Sequence, residues 1–344
     1  MAKKSTLEAM TRNHAVQVAA GAVASGGALA AGKLVRDRVV DRATRQRTRF
    51  RLAPDEGAAD GLRRIARGQI ELANDRLQSG DDVGEAVHEA RKSFKRMRAV
   101  VRLARDPLGD DVYRRENHAY RDTGRELSAA RDAQVLSETL EDLKRRYRKE
   151  IADDAFAGLR EALAADAEAA HERIAKDAGA VEEVRASLDA ARDRIATWPL
   201  PEDADAGVLA PGFDRIYKRG RRALKAAERE RSDDNMHELR KRAKDLWHAA
   251  QILRPASPRR MKRLGRRAHA LSDLLGDDHD LAVLHEAARE RYRTLRRGEL
   301  ALLRGLIGRR RDRLQRDALA CARRVYGPKP SVWRKRVQSP AAAA

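Results

Sequence analysis

Between residues 55 and 326 the apolar residues recur at spacings of three and four, separated by polar and charged positions. That spacing predicts amphipathic helices throughout. Short turn signals divide them: Ser79-Gly80-Asp81-Asp82, then Asp106-Pro107-Leu108-Gly109-Asp110, then Arg254-Pro255-Ala256-Ser257-Pro258. Gly276-Asp277-Asp278 reads as a further break, with Gly276 closing one helix and an aspartate capping the next. The longest interruption runs from Thr197 to Pro211-Gly212 and holds Pro199, Pro201 and Pro211, which marks it as a linker.

The linker separates two similar halves. H-E-A-R-K-S-F-K at 88–95 aligns with H-E-L-R-K-R-A-K at 237–244, an offset of 149. Leu127 and the run Arg131 to Leu136 align with Leu275 and His279 to Leu284 at an offset of 148. Arg63, Arg67 and Gly68 align with Arg215, Arg219 and Gly220 at an offset of 152. Three blocks in one order predict a duplicated helical bundle, one repeat over about 55–196 and a second over about 212–326, with the linker at about 197–211. Residues 1–54 form an N-terminal basic, Ala/Gly-rich extension. Residues 327–344, after Gly327, Pro328 and Pro330, are expected to be a disordered tail.

Helical geometry sorts the repeated block into two faces. His88, Arg91, Lys92, Lys95, Arg98 and Arg102 fall within about 120° of arc. Val87, Ala90, Phe94, Met97, Val101 and Ala104 lie opposite. In the second copy His237, Arg240, Lys241, Lys244, His248 and Gln251 share the polar face, against Met236, Leu239, Ala243, Leu246, Ala250 and Leu253. An ordinary solvated face interleaves acids and bases, whereas cations at i,i+3 and i,i+4 repel one another. A row of this kind, present twice, points to an anionic ligand. Further cations follow the pattern: Arg63 and Arg67, Arg215 and Arg219, and Arg115, Arg121 and Arg131 along the third helix of the first copy.

Composition supports that reading. The 344 residues carry 74 Lys+Arg against 53 Asp+Glu, a formal charge of +21, so a polyanion is the expected partner. Aromatics make up only 4%, which leaves little for stacking nucleobases. Low Gly and Pro argue against a turn-rich sheet protein. The single cysteine, Cys321, excludes an intramolecular disulfide framework and a cysteine-based zinc cluster, and reads as a small packed hydrophobe. Trp198, Trp247 and Trp333 are scattered and read as packing residues. Ala15 to Gly32 is uncharged but mostly Ala and Gly, too weakly apolar for a spanning helix or signal core, so membrane contact is not expected. Lys33 to Arg51 reads as a basic arm.

Phosphate suits such a face, since Arg forks bind it bidentately and Lys supplies point charges. No Gly-rich nucleotide loop occurs. Asp277, Asp278, His279 and Asp280 resemble metal ligands, but helix capping accounts for them, and no metal or cofactor is expected. His88 and His237 have no nucleophile recurring beside them, so no catalytic residue is assigned and an enzyme is not expected.

The blocks at 87–98 and 236–247, with R-E-L-S-A-A-R-D-A-Q-V-L at 125–136 and L-G-D-D-H-D-L-A-V-L at 275–284, resemble the CHAD family, the conserved histidine α-helical domain. The resemblance covers about residues 55–326. It implies an all-α fold of two four-helix bundles related by a pseudo-two-fold axis, with a basic central groove. It also implies binding of inorganic polyphosphate, with recruitment to polyphosphate granules in the bacterial cytoplasm and contact with granule proteins. The family's ligand positions carry over to His88, Arg91, Lys92 and Lys95 and to His237, Arg240, Lys241 and Lys244. Two positions depart: Asp245 stands opposite Arg96, and Trp247 opposite Arg98. The triphosphatase motif E-x-E-x-K found in many relatives is missing. The alternative reading is a sequence-independent nucleic-acid binder, because the same cations hold a phosphodiester backbone. No helix-turn-helix, zinc finger or RNP motif favours it. A polyphosphate hydrolase or kinase would need paired acids for Mg²⁺ on the basic face.

Overall fold

The computed structural model describes residues 50–338, apart from 55, 79–82, 127, 128 and 177. The readings made above for Ala15 to Gly32 and for most of the basic arm lie outside the described residues. Those described form twelve α-helices and no strand, as the periodicity predicts. They are α1 (Ala58–Gln78), α2 (Val83–Leu103), α3 (Arg105–Leu108), α4 (Asp110–Glu126), α5 (Ala129–Arg146), α6 (Ala157–Lys176) and α7 (Ala178–Ala196). After the linker come α8 (Ala210–Arg229), α9 (Asp233–Ile252), α10 (Pro258–Glu290), α11 (Glu299–Tyr326) and α12 (Pro330–Gln338).

In the first half α1 packs on α2 and α7, and α2 on α4. In the second half α8 packs on α9 and α11, and α10 lies against both α9 and α11. The halves meet where α2 crosses α8 and α9. A large core runs through that junction. Leu62, Phe94, Met97 and Val100 of the first half share it with Phe213, Tyr217, Leu239 and Leu246 of the second. Contact at the junction is close because Gly212 has no side chain: a Cβ there would sit 1.9 Å from the Leu103 carbonyl oxygen. A second core lies where the α5–α6 hairpin reaches over to α10 and α11. It gathers Leu140, Leu143, Phe156 and Leu159 with Leu284, Leu303 and Leu306. Phe156 adopts a left-handed backbone (φ 62°), which is uncommon for a bulky residue. Its ring is fully buried, and its amide donates to Glu299 Oε1 at 2.9 Å, which holds it there.

Local signals explain the main boundaries. Ser232 caps α9 by accepting from the Asn235 amide, and Asp233 and Asp234 follow in the first turn. Pro211 sits in the first turn of α8, where its missing N–H costs nothing, so the linker ends two residues earlier than the prolines suggest. Gly109 and Gly298 take positive φ at turns.

Two expectations are corrected. Gly276-Asp277-Asp278 does not break a helix; α10 runs through it for 33 residues. Gly276 serves side-chain packing, and Asp278 is buried as an acceptor for Arg311 Nε at 2.9 Å and Gln315 Nε2 at 3.1 Å. The capping account of this cluster therefore fails. The tail after Gly327 is helical over 330–338. Trp333 and Val337 are buried against α8, where Trp333 meets the rings of Phe213 and Tyr217. The prolines do end α11 at Tyr326, but Pro330 then opens α12, where its missing N–H costs nothing, and the two aromatic partners hold that helix. The last residues of the N-terminal extension also dock: Leu52 is buried, its amide donates to the Ile252 carbonyl, and Phe50 packs edge-on against His248.

Candidate anion-binding face

Crossing of α2 and α9 brings corresponding positions of the two halves together. Lys244 on α9 is half-buried and makes no hydrogen bond or ion pair among the described residues. Burial, the Arg240 guanidinium and Lys95 of α2 push its ammonium down to about 8, with Asp280 and Asp273 opposing. Lys95 and Lys244, 149 positions apart, thus lie within electrostatic reach of each other.

Around Lys244 the second half is closely built. Arg240 lies across α10 at Gly276, where a methyl group would sit 3.7 Å from its Nη2. Its guanidinium is 4.0 Å from Asp280, and its Nε is buried with no hydrogen-bond partner. The rings of His237 and His279 are 4.4 Å apart. Burial, reinforced by His279, Lys241 and Arg240, pushes His237 down to about 4; burial and Arg240 also lower His279. Both rings are therefore neutral at pH 7. The sequence reading placed His237 on this face but missed His279 and Asp280 as its neighbours there. Their signal was present, since His279 and Asp280 fall in the third repeated block, but the assumed helix break concealed it.

The face is less one-signed than its spacing suggests. Lys92 Nζ is 2.6 Å from Glu89, and Lys241 Nζ is 2.7 Å from Glu238, so each repeated H-E-x-R-K block pairs its lysine with its own glutamate. Burial pushes the Glu238 carboxyl up, but hydrogen bonds from Lys241 and Arg242 bring it down to about 2. Arg102 Nη1 donates to Asp245 Oδ1 at 2.7 Å across the two halves, and Arg242 Nη1 donates to Asp245 Oδ2 at 2.8 Å. Arg98 donates to Asn117 at 3.3 Å; burial, helped by Arg102 and Arg121, lowers its guanidinium to about 10. His248, expected on the polar face, is buried between Phe50 and Trp247, and burial lowers it to about 3.

The remaining candidates are placed as follows. Arg91 is half-buried and Lys95 exposed on α2. Arg219 is half-buried near Arg242. Arg121 pairs with Asp122 at 2.8 Å, and Arg115 with buried Glu116 at 3.1 Å. Arg67 is exposed on α1. Arg63 forks onto Glu202 and donates to the Trp198 carbonyl, which pins the linker. Arg215 pairs with Asp106 at 2.9 Å. The side chains of His88 and Arg131 lie outside the described residues. The structure therefore gathers Lys95, Arg240, Lys244 and His237 at one place and Arg98, Arg102 and Arg121 at another, both along α2. It gives Arg63 and Arg215 to contacts elsewhere. Asp277 lies 3.5 Å from Arg310, and no group of three His, Cys, Asp or Glu suited to a metal occurs among the described residues. No described helix is long and apolar enough to cross a membrane.

The architecture is that of an all-α protein in which cations of α2 and α9 lie within electrostatic reach of each other. A family model described as "CHAD domain" matches residues 64–289, about two-thirds of the chain, and the protein belongs to that family. No curated protein matches the chain.

Proposed function

We propose that the protein binds inorganic polyphosphate along the face of α2 and α9, as a non-enzymatic module acting at polyphosphate granules in the cytoplasm. The observation that carries the reading is the approach of Lys95 and Lys244, equivalent lysines of what we read as two repeats, with Arg240 beside them. Like charges within electrostatic reach of one another raise the energy of a folded protein, and a bound anion lowers it. Arg240 adds a guanidinium beside them, and Arg98 extends the cations along α2. A linear phosphate polymer presents charge at every unit and no base to read. That matches a face with lysine and arginine but no aromatic platform.

The test is competition at fixed salt. Long-chain polyphosphate should displace single-stranded DNA from the full chain at matched phosphate concentration, and Lys95→Ala with Lys244→Ala should weaken polyphosphate binding. Failure of polyphosphate to displace the DNA would replace this reading with general nucleic-acid binding. Release of orthophosphate in the presence of Mg²⁺ would replace it with hydrolysis.

A further inference from the structure

A second cationic cleft lies between α8 and α12 and shares no residue with the Lys95, Arg240 and Lys244 cluster. Its volume is about 440 Å³, and Asp214, Arg215, Lys218, Arg222 and Arg334 line it. Arg215, Lys218 and Arg222 follow one another at i, i+3 and i+7 along one side of α8, a span of roughly 10 Å. Arg334 comes from α12, which lies outside the segment that matches the family.

The cations are held in place before any ligand arrives. Asp214 is buried, and its Oδ2 lies 2.7 Å from Lys218 Nζ and 2.8 Å from Arg334 Nη2. Hydrogen bonds from those two cations hold its carboxyl below the usual range, although burial pushes the other way. Trp333, buried against Phe213 and Tyr217, fixes the helix that carries Arg334. Asp106 pairs with Arg215. Arg222 makes no ion pair or hydrogen bond among the described residues and faces the cleft. Four cations thus meet two carboxylates, and one guanidinium is uncommitted.

We propose that this cleft is a separate site for a short phosphoanhydride, of the size of inorganic pyrophosphate or triphosphate, and that docking of α12 completes it. Guanidinium forks match phosphate oxygens, and cations spaced along one helix face meet successive phosphates better than a single one. The volume falls at the low end of small-ligand sites, which suits two or three phosphates. Asp214 is a positioning residue: it holds Lys218 and Arg334 and is not itself a phosphate contact.

The inference stands apart from the polyphosphate reading, and its test separates the two. Calorimetric titration of the full chain carrying Lys95→Ala and Lys244→Ala, at constant ionic strength, should still show triphosphate binding. Affinity should fall in the order triphosphate, pyrophosphate, orthophosphate. Adding Arg222→Ala should weaken triphosphate binding about tenfold, as loss of one charged hydrogen-bond donor predicts. Arg334→Ala should do the same. Should that variant undock α12, seen as a fall in Tm, Arg222→Ala decides, because Arg222 lies on α8, is exposed and makes no hydrogen bond or ion pair among the described residues. Unchanged triphosphate affinity in Arg222→Ala overturns the site. So does equal binding of sulfate, which would mean an ion atmosphere only, or loss of all binding on removal of Lys95 and Lys244.

Discussion

Helices α2 and α9 carry the same motif, yet they treat its polar face differently. In α2, Arg96 and Arg98 are cations lowered by burial, and Arg96 lies over the Phe50 ring. In α9 the corresponding positions hold Asp245 and Trp247. Asp245 is buried and takes two arginines, one from each half. Trp247 packs between His248 and His269. The first half therefore sets Arg96 and Arg98 against neutral partners, Gln69 with the Phe50 ring and Asn117, whereas the second uses a carboxylate to tie the halves together. The difference shows why a motif copied twice need not make two equal binding surfaces. One carboxylate at a crossing turns a would-be ligand contact, Arg102, into a structural one.

The sharpest way to break this asymmetry is at Asp245. Asp245→Asn removes the negative charge and turns one of the two acceptor oxygens toward Arg102 and Arg242 into a donor, and urea unfolding should show a loss of about 3–5 kcal/mol. A loss below 1 kcal/mol would mean that the pair does not tie the halves. Trp333→Ala removes the ring that docks α12. A loss of about 3 kcal/mol is expected from a buried Trp deletion, and a change near zero would return 330–338 to the status of a loose tail. Gly212→Ala pushes a methyl into the Leu103 carbonyl at the junction and should cost about 1–3 kcal/mol. An unaffected Tm there would mean that α2 and α8 are free to separate.

The binding predictions sharpen the comparison. Lys95→Ala and Lys244→Ala should each reduce the slope of log affinity for polyphosphate against log salt by about 0.7. Lys241→Ala should reduce it less than Lys244→Ala, because Glu238 already holds Lys241. Equal slopes for Lys241→Ala and Lys244→Ala would show that the two lysines of α9 contribute alike.

The smallest effect expected is on pH. The Lys244 ammonium loses its charge near pH 8, so polyphosphate affinity should fall between pH 7 and 9. Lys244→Arg, which stays charged, should flatten that fall. Stability follows the same group with a definite sign. Its folded pKa lies below the ordinary 10.5, so the unfolded chain holds more protons between about 8 and 10.5. Burying this charge destabilises the fold fully below pH 8, and the cost is relieved as pH rises through that window. His237 and His248, lowered to about 4 and about 3, act at the acid end: stability should fall as pH drops from 6.5 toward 4. Identical acid transitions in wild type and His248→Phe would remove His248 from that account.

How much of this was legible beforehand follows from the range of each interaction. Helix periodicity and turn signals are local, so the all-α class, the break at Arg254 to Pro258 and the basic face of α2 could be read along the chain. The motif also named Arg240 and Lys244 correctly as neighbours on one face, since i and i+4 are set by the helix itself. Gly276 misled, because a glycine that admits a passing arginine looks the same in sequence as one that ends a helix. The prolines at 328 and 330 misled in the same way, since the helix after them is held by rings more than a hundred residues upstream.

What the amino-acid order determined alone was therefore the set of helices, their apolar stripes and the doubled cationic rows. Those depend on 3.6-residue geometry and on charges a few positions apart. Tertiary structure decided which cations are left to meet a ligand. Lys244 is set against Lys95 and Arg102 against Asp245 only when α2 crosses α9, and neutralisation by a distant carboxylate depends on a separation of a few ångströms that no spacing along the chain encodes.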